Sequence, residues 1–78
     1  MNTTAIEALL KEAIPHDLIE VKTHDQIHFE ALIVSDLFEG ASRIERQRRV
    51  YSVLGPLLQS GQIHALALKT LTPTEWKN

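Results

Sequence analysis

The sequence predicts an α+β fold: a small three-stranded mixed sheet covered by helices on one face, in the order α-β-β-α(α)-β-α. Three observations carry that prediction. Apolar residues recur at helical spacing over 6–14 and again over 44–58. They alternate, or run together for a few positions, over 17–22, 28–35 and 62–71. Three strands are too few to close a barrel, so helices have to cover the sheet. The 78 residues leave room for one domain, 1–78.

The elements follow in order. Thr4 with Glu7 three residues on has the form of a capping box. Ile6, Leu9, Leu10, Ala13 and Ile14 then make one apolar stripe, and Pro15 stops the helix, with His16 and Asp17 in the turn. Segment 17–22 sets Leu18, Glu20 and Lys22 against Ile19 and Val21, a short strand that is polar on most of one face. Segment 28–35 is a second strand whose run Ala31–Val34 is apolar on both faces. The five residues between them suit an antiparallel hairpin. Segment 36–41 breaks the pattern, with Gly40 as its flexible point. Ser42 with Glu45 is a second capping box, followed by a stripe of Ile44, Gln47, Tyr51, Leu54 and Leu58, with Val50, Val53 and Leu57 beside it. Pro56 is expected to kink this helix or start a new one near Gly55. Segment 62–71 is the third strand, and a β-α-β step makes it parallel to one of the hairpin strands. Thr72, Pro73 and Glu75 start a short last helix. Trp76 is either its plug against the sheet or an exposed anchor.

Composition excludes several classes. Cysteine is absent, so the chain supplies no disulfide, no thiolate ligand and no thiol nucleophile. No apolar run approaches the ~20 residues that cross a bilayer. The N-terminal segment carries Glu7 and Glu12 and lacks a basic region, unlike a secretory signal, and a cytoplasmic location is expected. The net charge of −2 hides an asymmetry. Residues 1–40 hold Lys11 and Lys22 against eight acids; residues 41–78 hold six bases against Glu45 and Glu75. A globally basic nucleic-acid binder is disfavoured, and a local basic patch remains open.

Two groups of residues carry candidate chemistry. Of the four histidines, His24 and His28 belong to the first hairpin, His64 opens the third strand and His16 sits in a turn. Imidazole is a common ligand for borderline metals, although a single histidine at a strand end is ordinarily just solvated. No H-E-x-x-H, phosphate loop or nucleophile elbow is present, so an enzyme is not expected. Arg43, Arg46, Arg48 and Arg49 crowd the first two turns of the second helix, where the macrodipole is already positive. They form either a solvated face partly neutralised by Glu45, or a contact surface for phosphate or an acidic protein patch.

Segment 32–51 (LIVSDLFEGASRIERQRRVY) and segment 61–76 (GQIHALALKTLTPTEW) resemble the BolA family, in its IbaG-like branch. The most specific matches are F-E-G after the second strand, R-x-x-x-V-Y in the helix, I-H-A at the third strand and K-T-L-T-P-x-x-W at the end. The resemblance implies a fold similar to class II KH domains. It also implies partnership with a monothiol, CGFS-type glutaredoxin, with a 2Fe–2S cluster shared between the two proteins and glutathione and no cofactor in the isolated chain. His64 matches the principal ligand of this chain's side. A second can come from the hairpin, where some relatives carry Cys and others His; here His28, directly before Phe29, matches the position of that His, and His24 in the loop is the rival. Imidazoles in place of thiolates lower the negative charge around the iron and raise its potential. The KH-like fold further implies DNA binding through Arg43–Arg49 as the rival reading, although Gly40 and Gly55 form no G-x-x-G loop.

Overall fold

Each strand has one apolar face to hide, and the helices supply the cover. The computed structural model describes residues 2–78. Along the chain run α1 (Thr3–Ala13), β1 (Leu18–Thr23), β2 (His28–Val34), a single 3₁₀ turn (Asp36–Phe38), α2 (Arg43–Gln59), β3 (Ala65–Leu71) and α3 (Pro73–Lys77). The sheet order is β1-β2-β3. β1 pairs antiparallel with β2, Leu18 opposite Val34, and β3 lies parallel to β2, His28 opposite Ala65. The mixed three-stranded sheet and its element order agree with the sequence expectation, except that α2 is one helix.

Ile19, Val21, Phe29, Ala31 and Ile33 share the covered face of the sheet. They pack against Ile6, Leu10 and Ile14 of the α1 segment and Val50 and Leu54 of α2, with Phe38 and Ile63 filling the ends. Burying one such aliphatic or aromatic side chain contributes roughly 1.5–3 kcal/mol. On the opposite face Glu20, Lys22, Glu30, Ala67 and Lys69 stand exposed. That parity is the alternation read from segment 17–22.

Four details differ from the sequence reading. α1 starts earlier, because Asn2 rather than Thr4 is its cap and its Oδ1 accepts from the Ala5 N–H at 2.8 Å. Glu7, freed from a capping role, instead accepts from the Val21 N–H of β1 at 3.1 Å. The apolar stripe of α2 is rotated: Val50 and Leu54 are buried, while Ile44 is 60% exposed and Tyr51 is exposed. Pro56 sits inside α2 without ending it. Its ring deprives the Ser52 carbonyl of its helical N–H partner, and both residues are exposed, so the loss falls on the solvent side of the helix.

The fourth difference bears on function. β3 begins at Ala65, not at Gln62, so His64 precedes the strand. Leu66, Leu68 and Thr70 share one side of β3, so a strand running back through Ile63 would point that side chain away from the core. Ile63 is nevertheless fully buried, and its N–H donates to the Leu57 carbonyl at 3.1 Å. The chain therefore breaks register between 63 and 65, and His64 occupies the break.

Candidate functional site

The parallel pairing of β2 with β3 decides which chemistry can meet. Both strands start at the same end of the sheet, so His28, the first residue of β2, and His64, just before β3, become neighbours. The His64 N–H donates to the Ile27 carbonyl at 2.8 Å and fixes that junction. The two imidazoles lie edge to face with centroids 6.4 Å apart, and both residues are exposed.

The loop between β1 and β2 is tied down by its own side chains. One carboxylate oxygen of Asp25 accepts from the backbone N–H groups of Ile27 (3.0 Å) and His28 (2.8 Å). The other lies 2.5 Å from Nδ1 of His28. The Thr23 hydroxyl donates to the His28 carbonyl at 2.8 Å and accepts from the Gln26 N–H at 2.9 Å. Gln26 takes φ +63°, a left-handed conformation that closes the turn. The hydrogen bonds of His28, its backbone N–H first and its ring next, then the Ile27 N–H, hold the Asp25 carboxyl well below the usual carboxylate range.

His24 is also exposed and lines a shallow cleft of about 230 Å³ with Lys22, Thr23, His28, Phe29, Glu30, Ala65 and Ala67. Among the described residues it joins no ring pairing and makes no side-chain hydrogen bond. His16 lies the length of β1 away, its Nδ1 2.8 Å from the Ile14 carbonyl. Among the described residues no group of three or more His, Asp or Glu side chains is arranged to hold a metal by itself.

The arginines occupy the other end, where β2 and β3 finish. They do not act alike. Nε of Arg46 donates to the Ala41 carbonyl (3.0 Å) and Nη1 to the Thr70 carbonyl (3.0 Å) and Glu75 (2.7 Å). Its guanidinium stands 5.7 Å from the Phe38 ring centroid, and the side chain is only 11% exposed. Arg46 is thus a tie between α2, β3 and α3, and its donors are occupied by the protein itself. Arg43, Arg48 and Arg49 remain exposed. Part of the anionic offset for the crowded helix start is internal. The Ser42 backbone and side chain lower the Glu45 carboxyl, and Arg46, with the Thr72 backbone, lowers that of Glu75. Trp76 is 48% exposed and so does not plug the last helix against the sheet.

The family model for BolA-like proteins matches residues 8–75. The chain belongs to the BolA family. Acid stress protein IbaG of Escherichia coli is 34% identical over 76 residues, 97% of this chain and 89% of that protein. A Bol-like protein from Babesia bovis superimposes with a TM-score of 0.85 at 32% identity, over 99% of this chain and 91% of the other. A BolA homologue from Coxiella burnetii gives 0.81 at 36% identity, over 100% and 99%. The likeness therefore extends over nearly the whole chain. Among the described residues no helix is long and apolar enough to cross a membrane.

Sequence reasoning missed Asp25 and the structural duty of Arg46. Asp25 did leave a signal: an aspartate two and three residues before the N–H groups it caps is the pattern of an Asx turn. Arg46 left none, since the partners that tie it to β3 and α3 lie 24 and 29 positions away.

Proposed function

We propose that this protein is a non-enzymatic adaptor. It binds a monothiol glutaredoxin of the CGFS type and completes the coordination of a glutathione-containing 2Fe–2S cluster for iron–sulfur trafficking or sensing. One observation carries the reading: two imidazoles from separate parts of the chain stand side by side at one exposed end of the sheet. Membership of the BolA family supports the choice of partner.

The donor set fits the group. His64 and His28 offer two neutral nitrogen ligands, the number that replaces two thiolates on one iron in His₂-ligated clusters. A chain without cysteine, and with no metal-holding group of three or more His, Asp or Glu among the described residues, leaves the remaining ligands to come from outside. When bound, the cluster supplies the electron-accepting and exchangeable iron–sulfide chemistry; the protein's part is to present and orient the two rings. His64 is presented by the register break that buries Ile63. His28 is presented by the capped loop. The uncovered neighbourhood of both rings leaves room for a partner's surface.

The test uses the purified chain, a monothiol glutaredoxin and glutathione, reconstituted with iron and sulfide. Gel filtration is expected to show a heterodimer, and visible circular dichroism a spectrum distinct from that of the glutaredoxin alone. His64→Ala is expected to change that spectrum; an unchanged spectrum would take His64 out of the coordination sphere.

A further inference from the structure

We propose that Asp25 is a positioning residue. By holding Nδ1–H of His28 it fixes the tautomer that leaves Nε2 free to bind metal, and so makes His28 rather than His24 the second ligand. The inference rests on the cluster-ligating reading above.

The argument starts from what a carboxylate can do. Ionised, it only accepts hydrogen bonds, so the nitrogen 2.5 Å from it carries the proton. With Nδ1 protonated, a neutral His28 has its lone pair on Nε2. A ligating histidine ordinarily donates its other ring N–H to a carboxylate or carbonyl, which fixes both the tautomer and the ring plane. Here that arrangement is complete before any metal arrives. The same carboxylate caps the His28 N–H, and the Thr23 hydroxyl holds the His28 carbonyl. Backbone and ring are thus fixed together, so little side-chain freedom is lost on binding. His24, one residue before Asp25, has no such support among the described residues and joins no ring pairing with His64.

Asp25→Asn separates positioning from folding. The amide oxygen still caps the Ile27 and His28 N–H groups, while the NH₂ that replaces the second oxygen is a donor and cannot accept from Nδ1–H. The turn is kept and the favoured tautomer is reversed, an effect known to disable a catalytic imidazole elsewhere. Two readouts apply. In the apo protein, long-range ¹H–¹⁵N correlation spectra of the histidine rings are expected to show Nδ1–H at His28 in the native chain and Nε2–H in Asp25→Asn. In the reconstituted glutaredoxin complex, cluster retention against a chelator, followed by visible circular dichroism, is expected to fall about 10–100-fold. His24→Ala is expected to alter neither.

An unchanged His28 tautomer in Asp25→Asn would overturn the inference. So would native retention in that variant while His64→Ala loses the cluster signal, with the cluster-ligating reading left standing. A loss in His24→Ala as large as in Asp25→Asn would also overturn it. If His64→Ala keeps the full spectrum, the cluster-ligating reading itself fails, and the inference falls with it.

Discussion

Where β2 and β3 finish, polar side chains close the fold. Arg46 ties Ala41, Thr70 and Glu75 together, and Ser35, fully buried, donates to the Pro15 carbonyl and accepts from the Leu37 N–H at 3.1 Å. Where the same strands begin, the side-chain ties are local to one loop, and both His28 and His64 stay exposed. The two ends carry the two groups that the sequence singles out, and they use them differently. At the arginine end the most connected cation serves the protein's own backbone. At the histidine end the two rings stand beside each other, open to solvent. Charge density alone therefore does not identify an open surface, whereas the question of which donors and acceptors remain unoccupied separates the ends.

The comparison can be broken at the arginine end first. Phe38 is fully buried beneath the Arg46 guanidinium, and Phe38→Ala is expected to cost about 3–5 kcal/mol in urea denaturation. A cost below 1 kcal/mol, on the order of a surface change, would mean that this end is not packed as described. Arg46→Ala comes next. It leaves two backbone carbonyls without their charged donor and is expected to cost about 2–3 kcal/mol, whereas Arg48→Ala and Arg49→Ala stay within about 0.5 kcal/mol. Three equal losses would erase the distinction between Arg46 and its exposed neighbours. It follows that a DNA-binding test of this helix is cleaner with Arg43, Arg48 and Arg49 than with Arg46, whose loss perturbs the fold.

Acid sharpens the same contrast. Arg46 and the Thr72 backbone lower the Glu75 carboxyl, and Ser42 lowers that of Glu45. A carboxyl whose folded value is depressed stabilises the protein above its unfolded value, about 4, and that contribution disappears as the pH falls through the folded value. Thermal midpoints measured between about pH 5 and pH 2 should therefore fall on acidification, and more shallowly in Glu75→Gln. An identical acid limb in that variant would deny Glu75 its part in the tie. The smallest effect belongs to the other end: His64→Ala is expected to change stability by less than about 0.5 kcal/mol. A larger loss would show that this ring holds the fold and is not available to a partner.

Much of this was legible in the sequence, where the determining interactions are local. The Ser42–Glu45 and Thr72–Glu75 boxes cap α2 and α3 as expected, because each is complete within four residues. The strand alternation at 17–22 gave the covered face directly. Errors arose where a distant contact decided between local options. Thr4 and Asn2 both suit a helix start, and Asn2 prevails while Glu7 reaches β1. Two adjacent apolar lines run along α2, and only the packed neighbours select Val50 over Tyr51. The sequence places His64 at the opening of β3, but its place before the strand depends on Ile63 being drawn into the core. His28 and His24 differ in their ties, since Asp25 holds the ring of His28 alone, a contact that the spacing of these residues does not show.

Pulsed electron paramagnetic resonance of the reduced cluster, in the complex with glutaredoxin and glutathione, tests the central claim most directly. The account predicts nitrogen couplings from two inequivalent imidazoles, one lost in His64→Ala and the other in His28→Ala, both retained in His24→Ala and in a chain with Arg43, Arg48 and Arg49 replaced. A native complex that shows no imidazole nitrogen coupling would contradict it.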